Sequence, residues 1–248
     1  MKRIVFITIL CWFSLMLGCQ NEKTPKLRIA TAANVQFAMQ SLVEAFTNET
    51  GIACDIIVGS SGKLTAQIQA GAPYHVFVAA NMLYPNTLYE KGLTTKAPEV
   101  YAYGNLVLWT MRKDIIPSIA YLDSARIQTI AIANPKVAPY GQAAIEVLKH
   151  HNLYEKLKGK LVYGESIAQT NQFILSQASD IGFTSTSVVL APKIKGKGQY
   201  QLVDQSIYTP IKQGIVLIKQ EEKAQQFYQF LFSDQAKTIL KKFGYLVE

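Results

Sequence analysis

Four short stretches carry the residues best placed to do chemistry: Ala32-Ala33-Asn34, Gly59-Ser60-Ser61-Gly62-Lys63, residues 134–142 with Tyr140 near the end, and residues 164–170. Each is rich in small, hydroxyl or amide residues, and each lies between an apolar run that reads as a strand and a periodic run that reads as a helix. The chemistry this allows is the capture of an anion by dipoles rather than by counter-charges. The first backbone N–H groups of a helix have no intrahelical acceptor, so they present partial positive charge to whatever lies above the strand end. Singly, each turn is equally an ordinary helix start, and Asn34 is placed to cap its helix with its side chain. Two such turns in each half of the chain suggest a cleft between two lobes, because ligands in open α/β sheets gather at the carboxyl ends of strands.

Other chemistries find less support. Gly62-Lys63 after Gly59-Ser60-Ser61 invites comparison with a phosphate-binding loop, but Ile57 stands where its first Gly would be and Leu64 where its Ser or Thr would be. No Gly-x-Ser-x-Gly elbow occurs, and no pair of acids is tied to any of the four turns. His75, His150 and His151 lack zinc-ligand spacing, and two adjacent histidines on a helix point in different directions. These absences argue against an enzyme and against a bound cofactor.

The elements that must hold the turns alternate along the chain. Within 29–46 a short strand leads through the Asn34 turn into an amphipathic helix. Val35, Met39, Leu42, Val43 and Phe46 recur there at core spacing, while Gln36, Gln40 and Glu44 face water. Strands are expected at 52–58, 76–79, 105–111, 130–133, 160–163, 180–184, 201–203 and 214–218. Helices are expected at 63–70, 82–91, 142–150, 169–176, 223–232 and 234–243. This alternation predicts α/β layers with mostly parallel sheets.

At the N-terminus, Lys2-Arg3, an apolar run over 4–17 and then Gly18-Cys19 describe a secretory signal, too short to span a bilayer comfortably. Met16-Leu17-Gly18-Cys19 resembles the bacterial lipobox, in which Cys19 would take a lipid and become the new N-terminus; the alternative is a plain signal peptide cut elsewhere. Residues 19–26 then read as a polar tether. The formal charge is +8, two of which leave with the signal. The remaining basic residues are dispersed, without the aromatic-interleaved stripe of a nucleic-acid binder. Cys54 is left alone, so no intrachain disulfide is available, and its expected place is the core.

Over nearly the whole mature chain, from Leu27 to Tyr245, the sequence resembles the periplasmic molybdate-binding proteins of bacterial ABC transporters, within the type II solute-binding fold. The motifs that carry the resemblance are Ala32-Ala33-Asn34, Gly59-Ser60-Ser61-Gly62-Lys63-Leu64, Gln67-Ile68-Gln69-Ala70-Gly71-Ala72-Pro73, Tyr84-Pro85, Ala138-Pro139-Tyr140-Gly141 and Asp180-Ile181-Gly182-Phe183-Thr184. The resemblance implies a two-lobed α/β binding protein that holds molybdate or tungstate by neutral donors and hands it to a permease in the membrane. It places Asn34, Ser61, Tyr140 and Ile167 at the oxyanion. Ser185 stands where part of the family offers a tyrosine hydroxyl. His75 and Asn81 stand where acids are usual, away from the ligand positions, and a lone histidine is more often a packing residue than a ligand.

The expected lobes are 27–103 plus 212–248 and 104–211, with hinges near Tyr103-Gly104 and Pro210-Ile211. A monomer is the default for a carrier that must visit a transporter. Sulfate, another unprotonated tetrahedral dianion, and an anion-sensing role without transport remain as alternatives.

Overall fold

The computed structural model describes residues 26–248, so the expected signal, Cys19 and all but the last residue of the tether lie outside the described residues. Two five-stranded sheets, each flanked by helices, make a two-lobed α/β structure. The first sheet joins β1 (Leu27–Ala32), β2 (Cys54–Gly59), β3 (Val76–Ala79), β4 (Glu99–Gly104) and β10 (Ile211–Leu217) in the order β2-β1-β3-β10-β4. The second joins β5 (Leu106–Thr110), β6 (Ile130–Ala133), β7 (Leu161–Gly164), β8 (Ile181–Ser185) and β9 (Gln199–Leu202) in the order β7-β6-β8-β5-β9.

The sheets are mixed, which corrects the expectation of mostly parallel pairing. β1 runs parallel to β2 and β3, and β6 to β7 and β8. β10 runs antiparallel to β3 and β4, and β5 antiparallel to β8 and β9. The parallel pairs are the ones joined through helices, as parallel neighbours require. β5 and β10 instead enter their sheets directly from the other lobe, so no crossover helix fixes their direction. The chain crosses at Asn105, between β4 and β5, and again over 203–210, between β9 and β10. β4 is a strand that periodicity did not suggest.

Helix α1 (Gln36–Thr50) buries Ala38, Met39, Leu42 and Phe46, and Gly51 closes it in the left-handed region at φ 73°. Phe46 meets Phe227 edge to face, with ring centroids 5.2 Å apart; Phe227 lies on α8 (Glu222–Phe230), one of two closing helices with α9 (Asp234–Lys242). Val43, expected in the core, is only half-buried. Cys54 is likewise half-buried, because β2 is an edge strand and only one of its sides is covered. Burial still pushes its thiol up to about 11, which keeps it un-ionised and unreactive.

His75 is a buried packing residue just before β3. Its Nδ1 accepts the Arg28 backbone N–H at 2.9 Å, so the neutral ring carries its proton on Nε2, 3.4 Å from a Glu221 carboxylate oxygen. Burial holds its pKa below the ordinary 6.5; the nearby Lys223 and Lys219 act in the same direction and Glu221 against it. A histidine whose folded pKa is depressed binds protons more readily when unfolded. Its contribution to stability is therefore complete above the ordinary value and is lost as pH falls from there through the folded value. Urea midpoints should drop between pH 7.5 and 5 in the wild-type protein, and less in His75→Phe; equal slopes would show that His75 does not carry this dependence.

After α9 the chain turns back over the first crossing. Tyr103 N–H donates to Leu246 O at 2.7 Å and Leu246 N–H to Tyr103 O at 3.0 Å, while Asn105 Nδ2 donates to Gly244 O at 3.0 Å.

Candidate functional site

The four turns singled out above meet at one place. A small cavity between the lobes is lined by Ala32, Ala33 and Asn34, by Ser60, Ser61 and Ala80, by Ala138, Pro139 and Tyr140, and by Ile167. Asn34 lies in a 3-10 turn, Ala33–Val35, that leads from β1 into α1. Ser61 opens α2 (Ser61–Gln69) after β2, Pro139 and Tyr140 open α4 (Pro139–His150) after β6, and Ile167 opens α6 (Ile167–Leu175) after β7. The helices between these, α3 (Leu83–Glu90) and α5 (Tyr154–Leu157), take no part. Four helical starts aimed at one point supply converging N–H donors and the positive ends of four dipoles.

Each side chain has a definable part. Ser61 is buried, and its Oγ accepts the Ala80 backbone N–H at 2.9 Å. That bond consumes an acceptor position and leaves the hydroxyl proton free for the cavity. Ser60 caps α2, its Oγ accepting the Lys63 N–H at 3.4 Å, and so also keeps its proton to give. Ser60 was not among the residues expected at the ligand, although it sits in the same motif. Gly62 carries the contact across the cleft, its N–H donating to Val137 O at 2.9 Å.

Asn34 behaves differently from expectation. It does not cap a helix: it lies inside the 3-10 turn, its Oδ1 accepts no backbone N–H, and both hydrogens of its amide are engaged, to Gln213 Oε1 at 2.8 Å and to the Tyr245 hydroxyl at 2.9 Å. What it can offer a ligand is its backbone N–H. Tyr140 is also fully buried, and its hydroxyl fills the space that a side chain at Gly104 would need, on the first sheet. Burial first, then the neighbouring Tyr245, Tyr101 and Tyr208, push that hydroxyl well above the ordinary tyrosine range, so it stays protonated. Tyr140 too faces the cavity with its helix-start N–H. Ile167 lines the cavity as expected, through its place in the first turn of α6. Ser185 does not line it. Its hydroxyl lies 2.9 Å from that of Ser187 on α7 (Thr186–Val189), inside the contact between the lobes. Asn81 lines a separate pocket with Glu146 and Ile211 at the second crossing.

No charged side chain lines the cavity. The ion pair at its rim, Lys63 to Glu165 at 3.4 Å, is exposed on both sides and contributes little. No group of histidine, cysteine and acidic residues suited to a metal cation occurs among the described residues. The arrangement can hold an anion by hydrogen bonds to a charged acceptor, each stronger than a neutral one, and can do so out of water.

Over residues 27–246 the sequence matches the family described as bacterial extracellular solute-binding protein. The chain belongs to that family. This solute-binding protein is 35% identical over 223 residues to the molybdate-binding protein ModA of Rhodobacter capsulatus, covering 88% of this chain and 87% of that one. It is 34% identical over 235 residues to the ModA of Azotobacter vinelandii, 93% of each chain. The solved periplasmic molybdate-binding protein of Azotobacter vinelandii superposes with a TM-score of 0.85 at 32% identity, over 90% of this chain and 100% of that chain. The resemblance read from the motifs and the two-lobed fold it implied are both borne out. As a solute-binding protein the chain is a receptor and not an enzyme.

Proposed function

We propose that the protein captures molybdate, and tungstate with it, outside the cytoplasmic membrane and passes it to the permease of an ABC transporter. The observation that carries this reading is the cavity itself, in which backbone N–H groups of four helical starts and the Ser60 and Ser61 hydroxyls converge with no carboxylate among them. Molybdate and tungstate carry no proton at neutral pH, so every such donor can be used. Hydrogen phosphate brings a proton that no carboxylate in the cavity can take, and an unpaired buried donor costs about 1 to 3 kcal/mol. The names of the relatives at 34–35% identity support the same ligand.

In this reading Asn34, Ser61, Tyr140 and Ile167 hold the oxyanion, three of them by backbone N–H, and Ser185 acts from outside the cavity. The lobes are 27–103 plus 212–248 and 104–211, the crossings at Asn105 and 203–210 are the hinges, and closure around the anion makes the form that the permease recognises. Lipid on Cys19 tethers the monomer to the membrane. Sulfate differs from molybdate mainly in size and is the competing ligand.

Calorimetric titration of the chain from residue 20 onward with molybdate, tungstate, sulfate and phosphate at matched ionic strength tests the reading. Tight binding of the first two alone is the expected result. Sulfate bound as tightly as molybdate would replace the ligand named here, and no binding of any of the four would remove the anion site altogether.

A further inference from the structure

The Asn34 turn is held by residues far away in sequence, and all of them are polar. Tyr245 is fully buried near the C-terminus. Its hydroxyl accepts from Asn34 Nδ2 at 2.9 Å and lies 3.2 Å from both Asn34 O and Ser187 Oγ, so its single proton is shared between two acceptors. Ser187 Oγ donates to the same Asn34 carbonyl at 2.5 Å. Asn34 is thus gripped at its side chain and its carbonyl while its N–H side faces the cavity. The segment that brings Tyr245 there is itself pinned on both sides. Leu246 pairs with Tyr103 and Gly244 with Asn105 at the first crossing. Gly244, at φ 79°, packs so closely on α7 that an added Cβ would stand 2.5 Å from Thr186 Cγ2.

We propose that Tyr245 is a positioning residue for anion capture: through its hydroxyl the C-terminal segment fixes the Asn34 turn at the cavity and ties that turn to Ser187 of the other lobe. The proposal rests on the reading of the cavity as the oxyanion site. Tyr245 touches no ligand. It sets the direction of donors that do, and because Ser187 follows β8 of the second sheet, the same hydroxyl links the site to the relative placement of the lobes.

Tyr245→Phe keeps the ring and its packing and removes only the hydroxyl. In calorimetric titration with molybdate it should bind about tenfold more weakly than the wild type, the effect of one hydrogen bond of ordinary strength. Ser187→Ala should lose a similar factor, and the double variant no more than either alone, since the two hydroxyls act on one carbonyl as a unit. A merely structural role would lower the melting temperature and leave molybdate affinity, measured far below that temperature, unchanged. Amide exchange in the anion-free protein gives the second readout: residues 33–36 should exchange about tenfold faster in Tyr245→Phe, with the second sheet unaffected. Wild-type exchange in that turn, or multiplied losses in the double variant, would overturn the proposal. If wild-type protein fails to bind molybdate, the functional reading fails instead, and the exchange measurement still decides the positioning role.

Discussion

Gly62→Val should leave the anion-free protein melting as the wild type does and should lower its molybdate affinity by about 2 to 4 kcal/mol, roughly 30- to 1000-fold. A Cβ at this position would stand 3.0 Å from both Cα and Cβ of Val137, and 3.0 Å from the Tyr84 hydroxyl. Val137 belongs to the turn before α4, in the opposite lobe, and its carbonyl accepts the Gly62 N–H. A branched side chain there is a wedge between the lobes, and it acts only when they close. Once the lobes part, only the Tyr84 hydroxyl, the far end of a flexible side chain in the same lobe, still stands near that point, which is why stability should change little. Calorimetry gives the affinity, and solution scattering with and without molybdate gives the closure. Full affinity together with normal compaction would mean that closing does not bring Gly62 onto Val137.

Ser61→Ala is expected to cost more than the single donor that the motif alone suggests. The hydroxyl that would face the anion is worth about 1.5 to 3 kcal/mol as a hydrogen bond to a charged acceptor. The same oxygen accepts the N–H of Ala80, a buried residue, and alanine leaves that donor without its partner. That second loss falls on the folded protein with or without ligand, so melting temperature should fall in both states while affinity drops by a factor of about 10 to 150. Ser61→Thr, which retains the oxygen, should recover most of the stability. Molybdate affinity unchanged in Ser61→Ala would take Ser61 out of the site.

The cavity was legible in sequence to the extent that it is built from helix starts. Small residues between an apolar run and an amphipathic one mark such a start wherever it occurs, and Ser61, Tyr140 and Ile167 all lie in first turns as that pattern requires. The pattern misled at Asn34. An amide before a helix looks like a cap, but the folded chain sets Asn34 inside the 3-10 turn with its oxygen unpaired, while Gln213 and Tyr245 claim both of its hydrogens. Neither partner had any local signal, since each lies about 180 to 210 residues away in sequence. Ser185 stands outside the cavity lining for a related reason: it ends a strand as its place in the chain suggests, and the strand delivers it to Ser187. Strand direction was the other gap. Alternating elements predict parallel neighbours only where a helix returns the chain to the same sheet, and β5 and β10 arrive from elsewhere.

The position of β10 between β3 and β4 bears on how the protein comes into being. Among the described residues β4 has β10 as its only partner strand in the sheet, and β3 has β10 on one side, so the first sheet cannot close until residue 217 has been synthesised. The second sheet is assembled wholly from residues 106–202 and can form while the end of the chain is still being made. Nascent chains should therefore hold one finished half and one waiting half, whose unpaired β4 edge persists until the last strand arrives, the slow long-range step that high contact order imposes.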